Sequence, residues 1–267
     1  MSCPPVLVEA RRGGTSPGAY VAPVEAELEA IEGAALAVLA GDEGSARTHA
    51  TRAGFELVDV PEWDGTVVLR ETKRRGGGAY VFRRGSTSSL VVQAPHTFFD
   101  EGTLPLACAL FEQSKARALF INTAHRYRAA PEGQSADVAH LERSFFQSAT
   151  LAVVRETRTP AVVQLHGFGR ERAMKAVVSS GDARPGVPHV DRVVRALGAV
   201  LGEGVLRFPE DTRELGATTN VQGKAVRASG GMFLHVEMSE ETRALLASDA
   251  SKRTAVFAAL ARSMEEL

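Results

Sequence analysis

Cysteine is scarce in this chain of 267 residues, which holds only Cys3 and Cys108. Two thiols with no CxxC spacing are too few for a disulfide scaffold. Cys108 lies in Leu104-Pro105-Leu106-Ala107-Cys108-Ala109-Leu110 and is expected to pack as a small apolar residue. An excess charge of either sign is missing too. With 31 basic and 32 acidic residues the net charge is −1, so no overall field favours nucleic acid or an anionic membrane. The basic clusters Lys73-Arg74-Arg75 and Arg83-Arg84 are too short for a nucleic-acid footprint and read as solvated turns. No run approaches the roughly 20 apolar residues of a membrane helix. Residues 1–19 carry Pro, Gly and Arg where a secretory signal would have an apolar core, so a cytoplasmic protein is the default expectation, with a removed leader left open. Three catalytic signatures are also missing: the GxSxG elbow, a GK[ST] after the Gly-rich turn Arg75-Gly76-Gly77-Gly78, and the dinucleotide fingerprint.

What remains is ordinary globular composition, 44% hydrophobic and 24% charged, in a length that suits one sizeable α/β domain. Residues 1–19 read as a flexible arm, and residues 20–267 as a single domain. Its opening part, 20–87, is expected to be an N-terminal helix and β-hairpin extension. There Val24, Leu28, Ile31, Ala35 and Leu39 recur at helical spacing, and alternating segments follow within 54–70 and 79–82. After residue 90 the rhythm becomes strand, loop, helix. Strands are expected at 90–95, 118–122, 161–165 and 231–237, and helices near 103–115, 137–153, 189–202, 239–246 and 252–266. A long Gly-rich loop is expected over 209–230. Strands alternating with helices predict an α/β fold with a mixed, mostly parallel sheet covered on both faces.

In such sheets the functional groups gather beyond the carboxyl ends of the strands. Four of the expected strands end in reactive side chains. The first delivers His96 and then Glu101, with Asp100 as a rival; the second delivers Asn122, His125 and Arg126. The third ends at His166 and the fourth at Glu237. Two histidines and a carboxylate form an established zinc set with an open position for water. A further carboxylate is needed to shuttle a proton, and a fixed Arg to steady an oxyanion or a substrate carboxylate. The chain supplies each role once. His235 alternates with Val236, is read as pointing away from the face of Glu237, and is set aside as a co-ligand. His140 is expected on a helix, in a packing or capping role. A single strand-end histidine is an ordinary loop residue, and only the fourfold recurrence points to a metal.

The segments Pro95-His96-Thr97-Phe98-Phe99-Asp100-Glu101-Gly102-Thr103, Gln164-Leu165-His166-Gly167 and Leu234-His235-Val236-Glu237-Met238-Ser239 resemble the zinc carboxypeptidase-like superfamily. The nearest branches are the N-formylglutamate amidohydrolases and the phage-type poly-γ-glutamate hydrolases, over roughly residues 88–247. The resemblance implies a twisted mixed sheet flanked by helices and one Zn2+. It implies His96, Glu101 and His166 as ligands and Glu237 as general base, then acid. Four residues separate His96 from Glu101, more than in the carboxypeptidases proper, which leaves open whether Asp100 shares or replaces Glu101. The Asn-Arg doublet that grips substrate in carboxypeptidases is absent, and Asn122 with Arg126 is the substitute. The stretch from Thr219 to Arg227 resembles a substrate-side loop, adding Asn220 and Arg227 as candidates for holding an anionic substrate. The expected activity is zinc-dependent hydrolysis of an amide bond in a peptide or N-acyl amino acid. The alternatives are a metal- or peptide-binding module without catalysis and a metal-free structural domain.

Overall fold

Residues 3–12, 20–129, 133–169 and 173–265 are described by a computed structural model. In chain order the elements begin with α1 (Pro5–Arg12), α2 (Glu25–Ala40) and α3 (Glu43–Arg52). Strands β1 (Phe55–Asp59), β2 (Thr66–Glu71), β3 (Ala79–Arg83) and β4 (Leu90–Ala94) follow, then α4 (Thr103–Gln113), β5 (Ala118–Ile121) and α5 (Phe145–Glu156). The remainder is β6 (Ala161–Phe168), β7 (Ala176–Ser179), α6 (Pro188–Leu201), β8 (Val205–Arg207), α7 (Val221–Ala228), β9 (Met232–Ser239), α8 (Glu240–Ser248) and α9 (Ala250–Glu265). All nine strands join one sheet in the order β1-β2-β3-β5-β4-β6-β9-β7-β8. The middle strands β5, β4, β6 and β9 run parallel, while β1, β2 and β3 add an antiparallel edge through the β3–β5 pair. The sheet is thus mixed, with a parallel centre, and the 20–87 extension widens it rather than forming a separate lobe.

Parallel strands covered on both faces favour apolar residues at successive positions, which explains the runs Leu90-Val91-Val92 and Ala161-Val162-Val163. Their alternate residues divide between two cores. Leu90, Val92, Val163, Leu234 and Val236 pack beneath α4, α6, α8 and α9. Val91, Val162 and Phe233 face α2, α5 and α7 instead. Gln93, Gln164, His166, His235 and Glu237 share the second face by the same period of two.

Several expectations change here. The N-terminal arm is not loose throughout: residues 5–12 form α1, Leu7 is fully buried, and Cys3 is disulfide-bonded to Cys108 on α4. Cys108 is therefore a cross-link and not a free packing residue. Residues 13–19 of that arm lie outside the described residues. The helix expected from 137 begins only at Phe145, where Ser144 caps it by accepting from the N–H of Gln147. Its forerunner, including His140, is a turn. The loop at 209–230 contains α7, capped by Asn220, whose side chain accepts from the N–H of Gly223. Helix α3 and strand β7 were not anticipated.

Candidate active site

The parallel strands β4, β6 and β9 end together at one edge of the sheet, and the register sets their side chains side by side. Gln164 pairs with both Gln93 and His235, and His166 pairs with Glu237. Just past β4 the chain makes a single turn: the N–H groups of Phe99 and Asp100 both donate to the carbonyl of His96. In a turn of this kind residues four apart share a face. Asp100 is thereby carried back against His96, while Glu101, one residue further, is swung out and exposed. Glu101, expected as the ligand, is thus not brought to the two imidazoles, and its backbone carbonyl accepts from Arg243 Nε at 2.6 Å.

Asp100 is 2% exposed and sits between two buried imidazoles. Its Oδ2 lies 3.4 Å from His96 Nδ1 and 3.2 Å from His166 Nδ1. The other nitrogen of each ring is engaged, His96 Nε2 with Asp137 Oδ1 at 2.9 Å and His166 Nε2 with Gln164 Oε1 at 2.8 Å. Both partners accept, so each Nε2 carries the proton and each Nδ1 presents a lone pair. Two ring lone pairs and a carboxylate oxygen thus converge, with ligand atoms all within 4.8 Å of one another. Asp100 Oδ2 has no hydrogen-bond donor of its own. Three acceptors facing one buried point are mutually repulsive unless a cation sits among them, and His, His and carboxylate is a zinc set. The donor set fits that metal.

The charges report the same convergence. Burial alone would depress His96, but the carboxylates of Asp100 and Asp137 outweigh it and raise its pKa. His166, with a neutral amide behind it, is lowered by burial to about 4. A proton and a metal compete here for the same lone pairs.

Glu237 stands on the next strand of the same face. Its Oε2 is buried with no hydrogen-bond partner, and burial, aided by the charge of Asp100, lifts its pKa to about 8. A buried carboxylate with a raised pKa can exchange a proton near neutral pH. His235, two residues before Glu237, shares its face, which overturns the opposite expectation. Residues two apart on a strand project together. The His235 ring lies 4.4 Å from that of His166, and its Nε2 is 3.7 Å from Glu237 Oε1. His166, His235 and Glu237 form a second group with metal-ligand spacing.

A cavity of about 270 Å³ opens onto these residues, lined by His96, Arg126, His166, Thr219 and Glu237 among others. Arg126 is bound through Nε and Nη2 to Asp137 Oδ2, at 3.1 and 2.5 Å, and its Nη1 lies 3.3 Å from His96 Nδ1. Asn122 is not brought into the cavity. Its amide is spent on the backbone of Ala124 and Ala136, closing the turn after β5. Asn220 borders the cavity, but both ends of its amide are engaged, with Gln164 and with the N–H of Gly223. Arg227 is two turns further along α7, donating to the carbonyl of Ser180 and absent from the cavity wall.

Two supporting groups have no forerunner in the sequence reading. Asp137 orients both His96 and Arg126. Arg243 on α8 is buried and donates to the carbonyls of Glu101, Phe168 and Met238, joining the ends of three site-bearing segments. Gln93 and Gln164, by contrast, had a visible signal as amides interrupting otherwise apolar strands.

No protein-family model matches the chain, and no curated protein matches it. Among solved structures it is similar to a bacteriophage poly-γ-glutamate hydrolase at 13% identity and a TM-score of 0.45, over 65% of this chain and 82% of that one. A zinc-free apo form of YNDL aligns at 14% identity and a TM-score of 0.49, over 71% and 90%. An N-formylglutamate amidohydrolase from Ralstonia eutropha JMP134 aligns at 13% and 0.42, over 68% and 94%.

Proposed function

We propose that this chain is a zinc-dependent hydrolase of an amide bond in a peptide or N-acyl amino acid, with His96, Asp100 and His166 as ligands. The observation that supports it is the convergence of three buried lone pairs beside Glu237, a second carboxylate whose Oε2 has no hydrogen-bond partner. Zinc bound by such a set lowers the pKa of a bound water to about 7 and polarises a carbonyl.

The remaining work falls to the chain's own residues. Glu237 Oε2 takes the proton of the attacking water and returns it to the departing nitrogen. Asp137 accepts from His96 Nε2–H and holds that ring with its Nδ1 facing Asp100. Arg126 keeps two of its donors on Asp137, and Nη1 is the donor left for a substrate oxygen or carboxylate once His96 Nδ1 is occupied. The His140–Thr219 contact, 3.2 Å between Nδ1 and Oγ1, forms a polar rim for the amide that approaches. The cavity suits a small or extended substrate, and the anionic preference rests on Arg126 alone.

A binding module without catalysis remains the second reading, favoured by one observation: neither Asn122 nor Asn220 has an amide free for substrate. One experiment separates the readings. Purified protein is analysed for metal after zinc supplementation and assayed on a panel of N-acyl amino acids and short peptides. Stoichiometric zinc with cleavage, both lost in His166→Ala, is the expected result. Zinc without cleavage of any panel member favours the binding module, and no stoichiometric zinc overturns the site.

A further inference from the structure

Five buried amides and one hydroxyl form a continuous chain behind the candidate site, and its direction follows from its ends. Thr150 Oγ1 donates its only proton to the carbonyl of Phe146, so it can only accept from Gln93, whose Nε2 is 2.9 Å away. Gln93 therefore turns Oε1 toward Gln164, and Gln164 must meet it with Nε2, at 2.9 Å. A second end gives the same answer. Asn220 accepts the backbone N–H of Gly223 on Oδ1, which leaves Nδ2 to donate to Gln164 Oε1 at 2.6 Å. A third end agrees. Gln222 Nε2 donates to the carbonyl of Val138 and to Gln147 Oε1, leaving its own Oε1 as the acceptor 3.4 Å from Gln164 Nε2. Gln93, Gln164 and Gln222 are all fully buried, so no solvent offers an alternative partner.

Three independent backbone anchors thus hold the Gln164 amide in one orientation, with Oε1 toward His166 Nε2 at 2.8 Å. We infer that Gln164 is the positioning residue that sets the His166 tautomer: its anchored carbonyl holds the proton on Nε2 and keeps the Nδ1 lone pair facing Asp100. The imidazole is ready for a metal before any metal arrives. A flipped amide would present N–H groups to Nε2, shift the proton to Nδ1 and close the site. His96 has a carboxylate behind it and His166 a neutral amide, so the cluster gains orientation at His166 without a further buried charge.

The proposal rests on the zinc reading only in its second readout. The first is made on metal-free protein. Full-length chain labelled with 15N-histidine and treated with chelator is examined by long-range 1H–15N correlation near pH 8, with the His166 ring assigned from a His166→Gln variant. A single neutral ring protonated on Nε2 is expected. A ring protonated on Nδ1, a cationic ring, or a tautomer mixture in the wild-type chain overturns the proposal, with no variant required. The second readout is zinc affinity by chelator competition. Gln164→Met is expected to give mixed tautomers and zinc binding weaker by about 10–100-fold, the range for groups behind a metal ligand. Gln93→Met removes an equally buried amide yet leaves Gln164 anchored by Asn220 and Gln222, and it should retain both the Nε2 proton and the affinity. Equal losses in the two variants would reduce Gln164 to packing and overturn the assignment. A wild-type chain with the expected tautomer that takes up no zinc leaves the positioning role standing and removes the zinc reading.

Discussion

Replacing Glu237 by Gln tests two properties of that residue at once. The carboxylate is buried, its Oε2 has no partner, and its pKa is raised from the ordinary 4.5 to about 8. In metal-free protein the native state therefore holds a proton that the unfolded chain releases at lower pH. Stability attributable to this group is complete below pH 4.5 and is lost as pH rises toward 8. At about 1.4 kcal/mol per pH unit, the loss across that window is roughly 5 kcal/mol. Gln is nearly the shape of the protonated acid and does not titrate, so Glu237→Gln should match the wild type near pH 4 and exceed it by roughly 3–5 kcal/mol at pH 8. Urea midpoints of chelator-treated proteins at the two pH values measure the difference. The activity arm runs the other way. Loss of a positioned general base should lower kcat by about 10²–10⁴-fold while zinc content stays stoichiometric. A stability difference that is the same at both pH values would refute the burial argument. Normal turnover in the variant would refute the role of Glu237 as base. Both expected results together would describe a residue kept at the expense of stability because its proton is needed.

Three further expectations can be checked independently. Asp100→Asn should weaken zinc binding by more than the roughly 10–100-fold typical of outer residues, whereas Glu101→Gln should bind normally; the reverse order in a chelator competition would restore Glu101 as ligand. Cys3→Ser opens a cross-link spanning 105 residues, and loop-closure entropy puts the loss of stability at roughly 4–5 kcal/mol. A melting temperature unmoved by the substitution or by reductant would contradict this. Glu71, buried at the end of β2 with its pKa raised to about 7 by desolvation, should make wild-type stability fall by roughly 3 kcal/mol between pH 4.5 and 7. Glu71→Gln should flatten that part of the pH curve, and parallel curves would sink the assignment.

The central strands were legible because they are apolar on both faces, and the histidines because they stand where those strands stop. His96, His166 and Glu237 come together because β4, β6 and β9 are parallel neighbours. The choice between Asp100 and Glu101 did not yield to spacing, since it depends on whether the chain turns immediately after His96. The two N–H bonds into the His96 carbonyl make that turn, and a period of four then selects Asp100. His235 and Glu237, two apart on β9, share a face, and that period of two puts both beside His166. Helix α3, Glu-Gly-Ser-Ala-Arg-Thr-His-Ala-Thr-Arg, buries only Ala46 and Ala50 and offers almost no apolar stripe to detect. The disulfide joins residues too far apart for local pattern to reveal. Arg227 illustrates a different failure: a segment can carry the right residue types while two turns of helix take one of them to the wrong end.

The Arg243 guanidinium has a consequence beyond its three hydrogen bonds. A Cβ placed on Gly167 would lie 2.1 Å from Arg243 Nη1, so the residue after His166 has to be glycine for the guanidinium to lie where it does. The segments bearing Asp100, His166 and Glu237 are thus bolted at a single joint, one side chain deep. That joint holds the backbone ends together, whereas the ring of His96 and the amide behind His166 take their orientation from Asp137 and Asn220 in the loops above them.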